Sequence, residues 1–269
     1  MTHPISNPPK PRTAAALIIG NELLSGKINE QNLVVLARTL RSIGISLRRV
    51  AMVPDEIPII ANEVASLASS FDILFTSGGL GPTHDDVTVA AVAQAFNTHT
   101  EDDQPTAEAI RQHFGDNLKP GHLLMARVPH GCKLVARDEG GWPTILMNNV
   151  WLLPGVPEVF CARLQTIKKH LTAGQPFVCS EVYTRIDEGS LVPLLNQVVT
   201  QFPNVDVGSY PTWDHPCYET KLTFDGTDAS AVEAACRAFI KLLPEAEPIR
   251  VDRDSGSSQA PVEAAQTET

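Results

Sequence analysis

The chain has no C-x-x-C pair, no long apolar run and no excess of basic residues. Its five cysteines, Cys132, Cys161, Cys179, Cys217 and Cys236, are an odd number and widely separated. That excludes a zinc-ligand spacing and the paired framework of a small secreted domain. Buried or incidental thiols in a reducing compartment are expected. No apolar stretch reaches the roughly 18 residues of a membrane-spanning helix. The opening MTHPISNPPKPR is proline-rich and lacks the apolar centre of a secretory signal. A cytoplasmic protein with no membrane partner is therefore expected. The formal net charge of −10 argues against general nucleic-acid binding, which needs a basic face to displace counterions. Any anionic ligand must then be held by local groups. No internal repeat is visible.

The length of 269 residues allows one large domain or a large one plus a small one. TAAALIIG (13–20) is a continuous apolar run, as a strand covered on both faces would be. Leu33, Leu36, Ala37, Leu40 and Ile43 recur at helical spacing, and Gly44 stands where a helix ends. A strand is read at 46–53, a helix at 56–69, a strand at 71–77 and a helix from about Asp85 to Phe96. CKLVAR and TILMNNVWLLPG read as two further strands, and Pro157 and Glu158 open a helix. This alternation predicts an α/β domain at 13–173, a mostly parallel sheet with helices on both faces. Past Gly174 the order becomes strand, helix, strand, strand, helix, which predicts a small α+β module at 174–250. Residues 1–12 and 251–269 are expected to be disordered.

The chemistry concentrates in FTSGGLGPTHDDVT (75–88). In open parallel sheets ligands bind beyond the carboxyl ends of the strands. Gly78, Gly79 and Gly81 stand there, just before a helix. Glycine allows positive φ and close approach of a ligand to backbone N–H groups, and a helix start adds free donors and a positive dipole end. Such a turn is a candidate phosphate cradle, although it matches neither a P-loop nor G-x-G-x-x-G. Asp85 and Asp86 admit two readings. Thr83 followed by Asp86 resembles a capping box, and acids suit a first helical turn. Alternatively they flank a diphosphate. A carboxylate about 5 Å from a phosphate charge is repelled by roughly 3 kcal/mol at an effective dielectric of about 20. Two acids beside an anion therefore call for a cation between them, and hard cations such as Mg²⁺ take both kinds of oxygen.

Two other strand ends point to the same place. GNELLSGKINEQN (20–32) supplies Glu22 as ligand or base, Lys27 as a point charge, and Asn29 and Asn32 as hydrogen-bonding partners. The plainer readings are a helix N-cap for Asn29 and a solvated surface cation for Lys27. LLPGVPE (152–158) supplies Gly155 in a second glycine turn and Glu158, which equally suits a helix dipole. His84, inside the first loop, is either a phosphate contact or acid near neutral pH, or a partly exposed loop histidine. His122, His130 and His215 have no metal-ligand spacing and are expected to be incidental. Tyr210 and Trp213 either stack on a base or flavin or pack in a core or domain interface.

GNELLSGKINEQN, SGGLGPTHDDVT and LPGVPE resemble the molybdopterin-binding-like domain of molybdenum cofactor biosynthesis proteins and of the competence-damage-inducible protein A family. With RTLRSIGI, VPDEI, VYTRIDE and GSYPTW, the similarity is closest to the N-terminal domain of bifunctional eukaryotic-type FAD synthase. It spans roughly Thr13 to Leu243. The resemblance implies a divalent-metal-dependent (Mg²⁺, Mn²⁺ or Co²⁺) hydrolase of pyrophosphate bonds in ADP-linked nucleotides such as FAD or ADP-ribose. On that reading Asp85 and Asp86 bind the metal, Glu22 orients or deprotonates water and Lys27 neutralises developing charge. Gly78, Gly79, Gly81, Pro82, Thr83, Asn29, Asn32, Gly155, Glu158, Ser209 and Tyr210 hold the nucleotide. The adenylyl-transferring domain of the bifunctional synthases has no counterpart in this sequence, so FAD synthesis is not expected. A homo-oligomer is expected because related domains associate. A molybdopterin-binding protein and a non-catalytic nucleotide-binding module remain as alternatives.

Overall fold

The computed structural model describes residues 12–136, 141–171 and 174–254. The segments 1–11 and 255–269, expected above to be disordered, lie outside the described residues. The described residues divide into two compact units, one ending at Gly174 and one beginning at Gln175.

In chain order the first unit comprises β1 (Arg12–Ile19), α1 (Asn21–Leu24), α2 (Asn32–Arg41), β2 (Ile45–Val53), α3 (Ile57–Ser70), β3 (Ile73–Ser77) and α4 (Thr88–Ala95). It continues with β4 (Thr100–Asp102), α5 (Gln104–Phe114), β5 (Arg127–Pro129), β6 (Lys133–Val135), β7 (Thr144–Met147), β8 (Val150–Leu153) and α6 (Pro157–His170). The main sheet has the order β2-β1-β3-β8-β7-β6. β1 runs parallel to β2 and β3, and β3 parallel to β8. Successive residues of β1 are buried on opposite faces. Ala14, Ala16 and Ile18 pack with Leu36, Leu40, Phe160 and Leu164 of α2 and α6. Ala15, Leu17 and Ile19 pack with Ile60, Val64, Ala91 and Val92 of α3 and α4. The apolar run read from sequence is thus a strand sandwiched between two helical layers.

The segment 144–155 departs from its expected form. It is a hairpin, not one strand: β7 pairs antiparallel with β8, and β6 antiparallel with β7. Asn148 turns the chain at φ 53°. Asn-Asn at a two-residue turn supplies the positive φ that such a hairpin needs. The side chain of Asn149 donates to the carbonyls of Ala68 and Phe71 at 2.9 and 3.0 Å, closing the C-terminal end of α3. Residues 97–131, for which no element is expected from sequence, form a small lobe of β4, α5 and β5. Asp103 caps α5 by accepting from the Thr106 N–H at 2.8 Å.

The second unit comprises β9 (Val178–Thr184), α7 (Glu188–Gln201), β10 (Asp206–Pro211), β11 (Thr220–Gly226), α8 (Ala229–Ile240) and β12 (Arg250–Asp254). Its antiparallel sheet has the order β10-β11-β9-β12. Val182, Leu191, Val198, Leu222, Phe224 and Phe239 form the core between the sheet and the two helices. β12 extends the module to Asp254, into the segment expected to be disordered. Its mostly polar composition hides a strand held by pairing with β9 and by Val251, which packs against the core of the unit. The five cysteines are free thiols, Cys236 buried and Cys217 exposed. Among the described residues no helix is long and apolar enough to cross a membrane.

Candidate functional site

β3 is buried at every position and delivers the chain to the glycine turn. Gly78 and Gly79 adopt φ 107° and 67°, a region that side-chain-bearing residues rarely occupy. A Cβ on Gly78 would stand 2.2 Å from the Ile19 carbonyl oxygen. One on Gly79 would stand 2.2 Å from the Thr88 hydroxyl. The turn is tied at both ends. The Gly78 N–H donates to the Leu153 carbonyl at 3.1 Å, and the Thr88 hydroxyl donates to the Gly78 carbonyl at 2.9 Å. Among the described residues the N–H groups of Gly79 and Leu80 meet no acceptor. Both residues line the cavity described below.

The two aspartates differ in role. Both oxygens of Asp86 turn back into the loop. Oδ1 accepts from the Gly81 N–H at 2.7 Å, while Oδ2 accepts from the Thr83 N–H at 2.8 Å and the Thr83 hydroxyl at 2.5 Å. This is not the expected capping box. α4 begins only at Thr88 with Val87 at its N-cap, so Thr83 and Asp86 close a turn ahead of the helix. Asp85 is exposed, and its Oδ1 lies 2.6 Å from the same Thr83 hydroxyl, whose single proton goes to one of the two carboxylates at a time. The hydrogen bond from Thr83, with one from its own backbone N–H, holds the Asp85 carboxyl below the ordinary aspartate range. His84 is almost fully exposed, its Nδ1 3.8 Å from Asp85 Oδ1.

The second and third loops meet the first at Asn32. This residue is buried, and its Nδ2 donates to Ser77 Oγ at 3.0 Å and to the Gly155 carbonyl at 2.8 Å. A carbonyl only accepts, so the amide orientation is determined, and Oδ1 is left with no partner among the described residues. Asn29 does not cap α2. The Glu30 carboxylate takes the N–H groups of Asn32 and Leu33 at 3.1 and 3.0 Å instead.

These loops enclose a cavity of about 960 Å³ in the first unit. Of the residues expected from sequence, Glu22, Asn29, Asn32, Gly78, Gly79, Gly81, Pro82, Thr83, Asp85, Asp86 and Gly155 line it. Four others do not. Lys27 is exposed and outside the lining, as is Glu158 in the first turn of α6. Ser209 and Tyr210 belong to β10 of the second unit. Tyr210 and Trp213 are 54% and 94% exposed, which removes core packing as their explanation.

Sequence reasoning missed Asp55, Arg127, Trp142 and Arg163 in the lining. Asp55 accepts from the Asn21 N–H at 2.8 Å. Arg163 is buried and donates to the Pro143 carbonyl at 2.6 Å and the Thr144 hydroxyl at 3.1 Å. Arg127 pairs with Asp102 at 3.5 Å. Only Asp55, in the loop after β2, offered a signal, because it too stands at the carboxyl end of a parallel strand.

A strand-end crevice with a glycine turn and convergent polar groups defines a ligand-binding α/β domain. Residues 15–173 match the family model described as a probable molybdopterin binding domain, and residues 176–252 match the middle domain of FAD synthase. The chain belongs to the molybdopterin-binding-domain family. It is 33% identical over 227 residues to a protein of Archaeoglobus fulgidus, covering 84% of this chain and 95% of that one. It is 29% identical over 263 residues to a probable FAD synthase of Caenorhabditis elegans, covering 87% of this chain. The chain spans about half of that relative, 50% of its length. The crystal structure of CinA, of unknown function, from Thermoplasma acidophilum superposes with a TM-score of 0.55 at 29% identity. That match covers 60% of this chain and 98% of the other.

Proposed function

We propose that the chain hydrolyses the pyrophosphate bond of ADP-linked nucleotides, FAD or ADP-ribose, releasing AMP with the help of a divalent cation. One observation carries the reading: unpaired turn amides and a set of carboxylates share a single crevice. The cavity is at the upper end of the range for small-molecule sites, which suits a dinucleotide better than a lone phosphate. Its lining has Glu22, Glu30, Asp55, Asp85 and Asp86 on the acidic side. Against them stand Arg127, paired with Asp102, and Arg163, engaged by carbonyls. A diphosphate entering there needs added positive charge.

The donor set fits a hard cation, since Asp85 presents a carboxylate oxygen that Thr83 does not use and Asp86 adds the remaining lone pair of a group already hydrogen-bonded. When bound there, the cation would neutralise the diphosphate and favour ionisation of an attacking water. The chain's own groups do the rest. The Gly79 and Leu80 N–H groups hold phosphate oxygens, Asp86 keeps the turn in shape, and Glu22, half-buried on the cavity wall, orients and deprotonates the water. Lys27 is too exposed for its assigned charge-neutralising role without a shift of its loop. The names of the FAD synthase relatives support FAD as the first substrate to try.

A screen of FAD, ADP-ribose and NADH with Mg²⁺, Mn²⁺ and Co²⁺ tests the reading, with AMP release as the readout. Absence of AMP in every combination would sink it. The description of the matched family favours a second reading, in which the same turn binds the phosphate of a pterin. Co-purified pterin fluorescence without nucleotide turnover would select that alternative.

A further inference from the structure

His99, Glu101 and His130 have no metal-ligand spacing in sequence, and His130 was expected to be incidental. The fold nevertheless brings the three side chains together. In the β4–β5 ladder Thr100 stands opposite Pro129 and Glu101 opposite Val128. One step further, the His130 N–H donates to the His99 carbonyl at 2.8 Å, so the two histidines face each other across the strands. Alternation along a strand puts His99 and Glu101 on one face. One donor atom from each of the three residues lies within 4.8 Å of the other two, and all three side chains are exposed. His130 Nδ1 is 3.0 Å from Glu101 Oε2, and the imidazole rings stack at 4.6 Å with 15° between their planes.

We propose that His99, Glu101 and His130 form a surface site for a divalent cation of borderline softness, of the Zn²⁺, Ni²⁺ or Cu²⁺ class, which clips β4 to β5. Two imidazole nitrogens and one carboxylate oxygen suit those ions, with further positions left to water or a ligand. Mg²⁺ demands an octahedron of oxygens and is not served by this set. Tetrahedral donors about 2.1 Å from zinc stand about 3.4 Å apart, so the group must contract slightly. The lone pairs of imidazole lie in the ring plane, so one stacked ring must also turn about Cβ–Cγ. That torsion is broad. The site is separate from the glycine turn and does not depend on the reading of the cavity. It does abut one cavity wall, because β5 contributes Arg127 and Val128 to the lining.

The test titrates the untagged full chain with Zn²⁺ against a chromophoric chelator, in millimolar Mg²⁺. One tight equivalent is expected for the wild type and for Asp85→Asn. His130→Gln and Glu101→Gln should each weaken it at least about 10-fold, and the double variant His99→Gln/His130→Gln should abolish it. Circular dichroism confirms that these surface variants are folded. No tight uptake by the wild type, uptake unchanged in the double variant, or loss of the equivalent in Asp85→Asn would each overturn the site.

Discussion

The two units use their sheets differently. In the first, helices cover both faces, so β1 is apolar from Ala14 to Ile19 and β3 from Ile73 to Phe75, and polar chemistry is confined to the strand ends. In the second, α7 and α8 cover one face, and every other residue of β11 is free to be polar. Tyr210, Lys221, Tyr183 and Arg250 stand side by side across its four strands. There the Lys221 ammonium meets Glu181 at 2.5 Å, Tyr183 donates to Glu181 at 2.6 Å, and the Arg250 guanidinium lies 3.8 Å above the Tyr183 ring. A doubly covered sheet gathers function at its edge-on rim, whereas a singly covered one spreads charge over a face.

The sharpest way to break this contrast is at the rim. Gly78→Ala forces a Cβ against the Ile19 carbonyl at a positive φ, and a cost on the order of 3–5 kcal/mol is expected in urea unfolding. AMP release should vanish with it. A variant that unfolds like the wild type would show that the turn is not held by close packing.

Asp86→Ala comes next. It removes an acceptor from two N–H groups and a hydroxyl, with an expected loss of about 1–3 kcal/mol and at least about 100-fold in hydrolysis. Asp85→Asn should differ in kind, leaving the urea midpoint unchanged while raising the metal concentration needed for turnover. Equal destabilisation by the two substitutions would erase the distinction drawn between them.

On the face of the second unit, burial alone would raise the Glu181 carboxyl. Hydrogen bonds from Lys221 and Tyr183 and the charges of Lys221 and Arg250 outweigh it and hold the group below the ordinary glutamate range. A depressed folded value means that the stabilisation is present above the unfolded pKa and is lost as pH falls through the folded one. Lys221→Met should therefore cost about 1 kcal/mol at neutral pH and less in acid. A cost that grows on acidification would contradict this sign.

The smallest effect belongs to Lys27. Exposed and outside the cavity lining, it should change turnover by no more than about 2-fold when replaced by alanine. A loss of about 10-fold or more would mean that its loop closes over the substrate.

The strands and helices of the parallel core, and the glycine turn at the end of β3, were legible because each depends on local pattern: apolar runs, helical spacing, and glycine where φ must be positive. The lobe at 97–131 has no long apolar run to announce it, and Asp103 and Pro105 mark the start of α5. The hairpin at 144–153 reads as one strand in the sequence because both arms are apolar and only Asn148 and Asn149 mark the bend.

The sequence by itself determined where a buried strand gives way to a glycine turn and which acids follow it, since those properties belong to neighbouring residues. Only the tertiary structure decided that Asp86 faces inward while Asp85 faces out, that Asn32 joins Ser77 to Gly155, and that His99 meets His130. Apart from the aspartate pair, those contacts bridge residues far apart in the chain, and all of them rest on directional hydrogen bonds whose geometry exists only after the sheet has set the distances between loops.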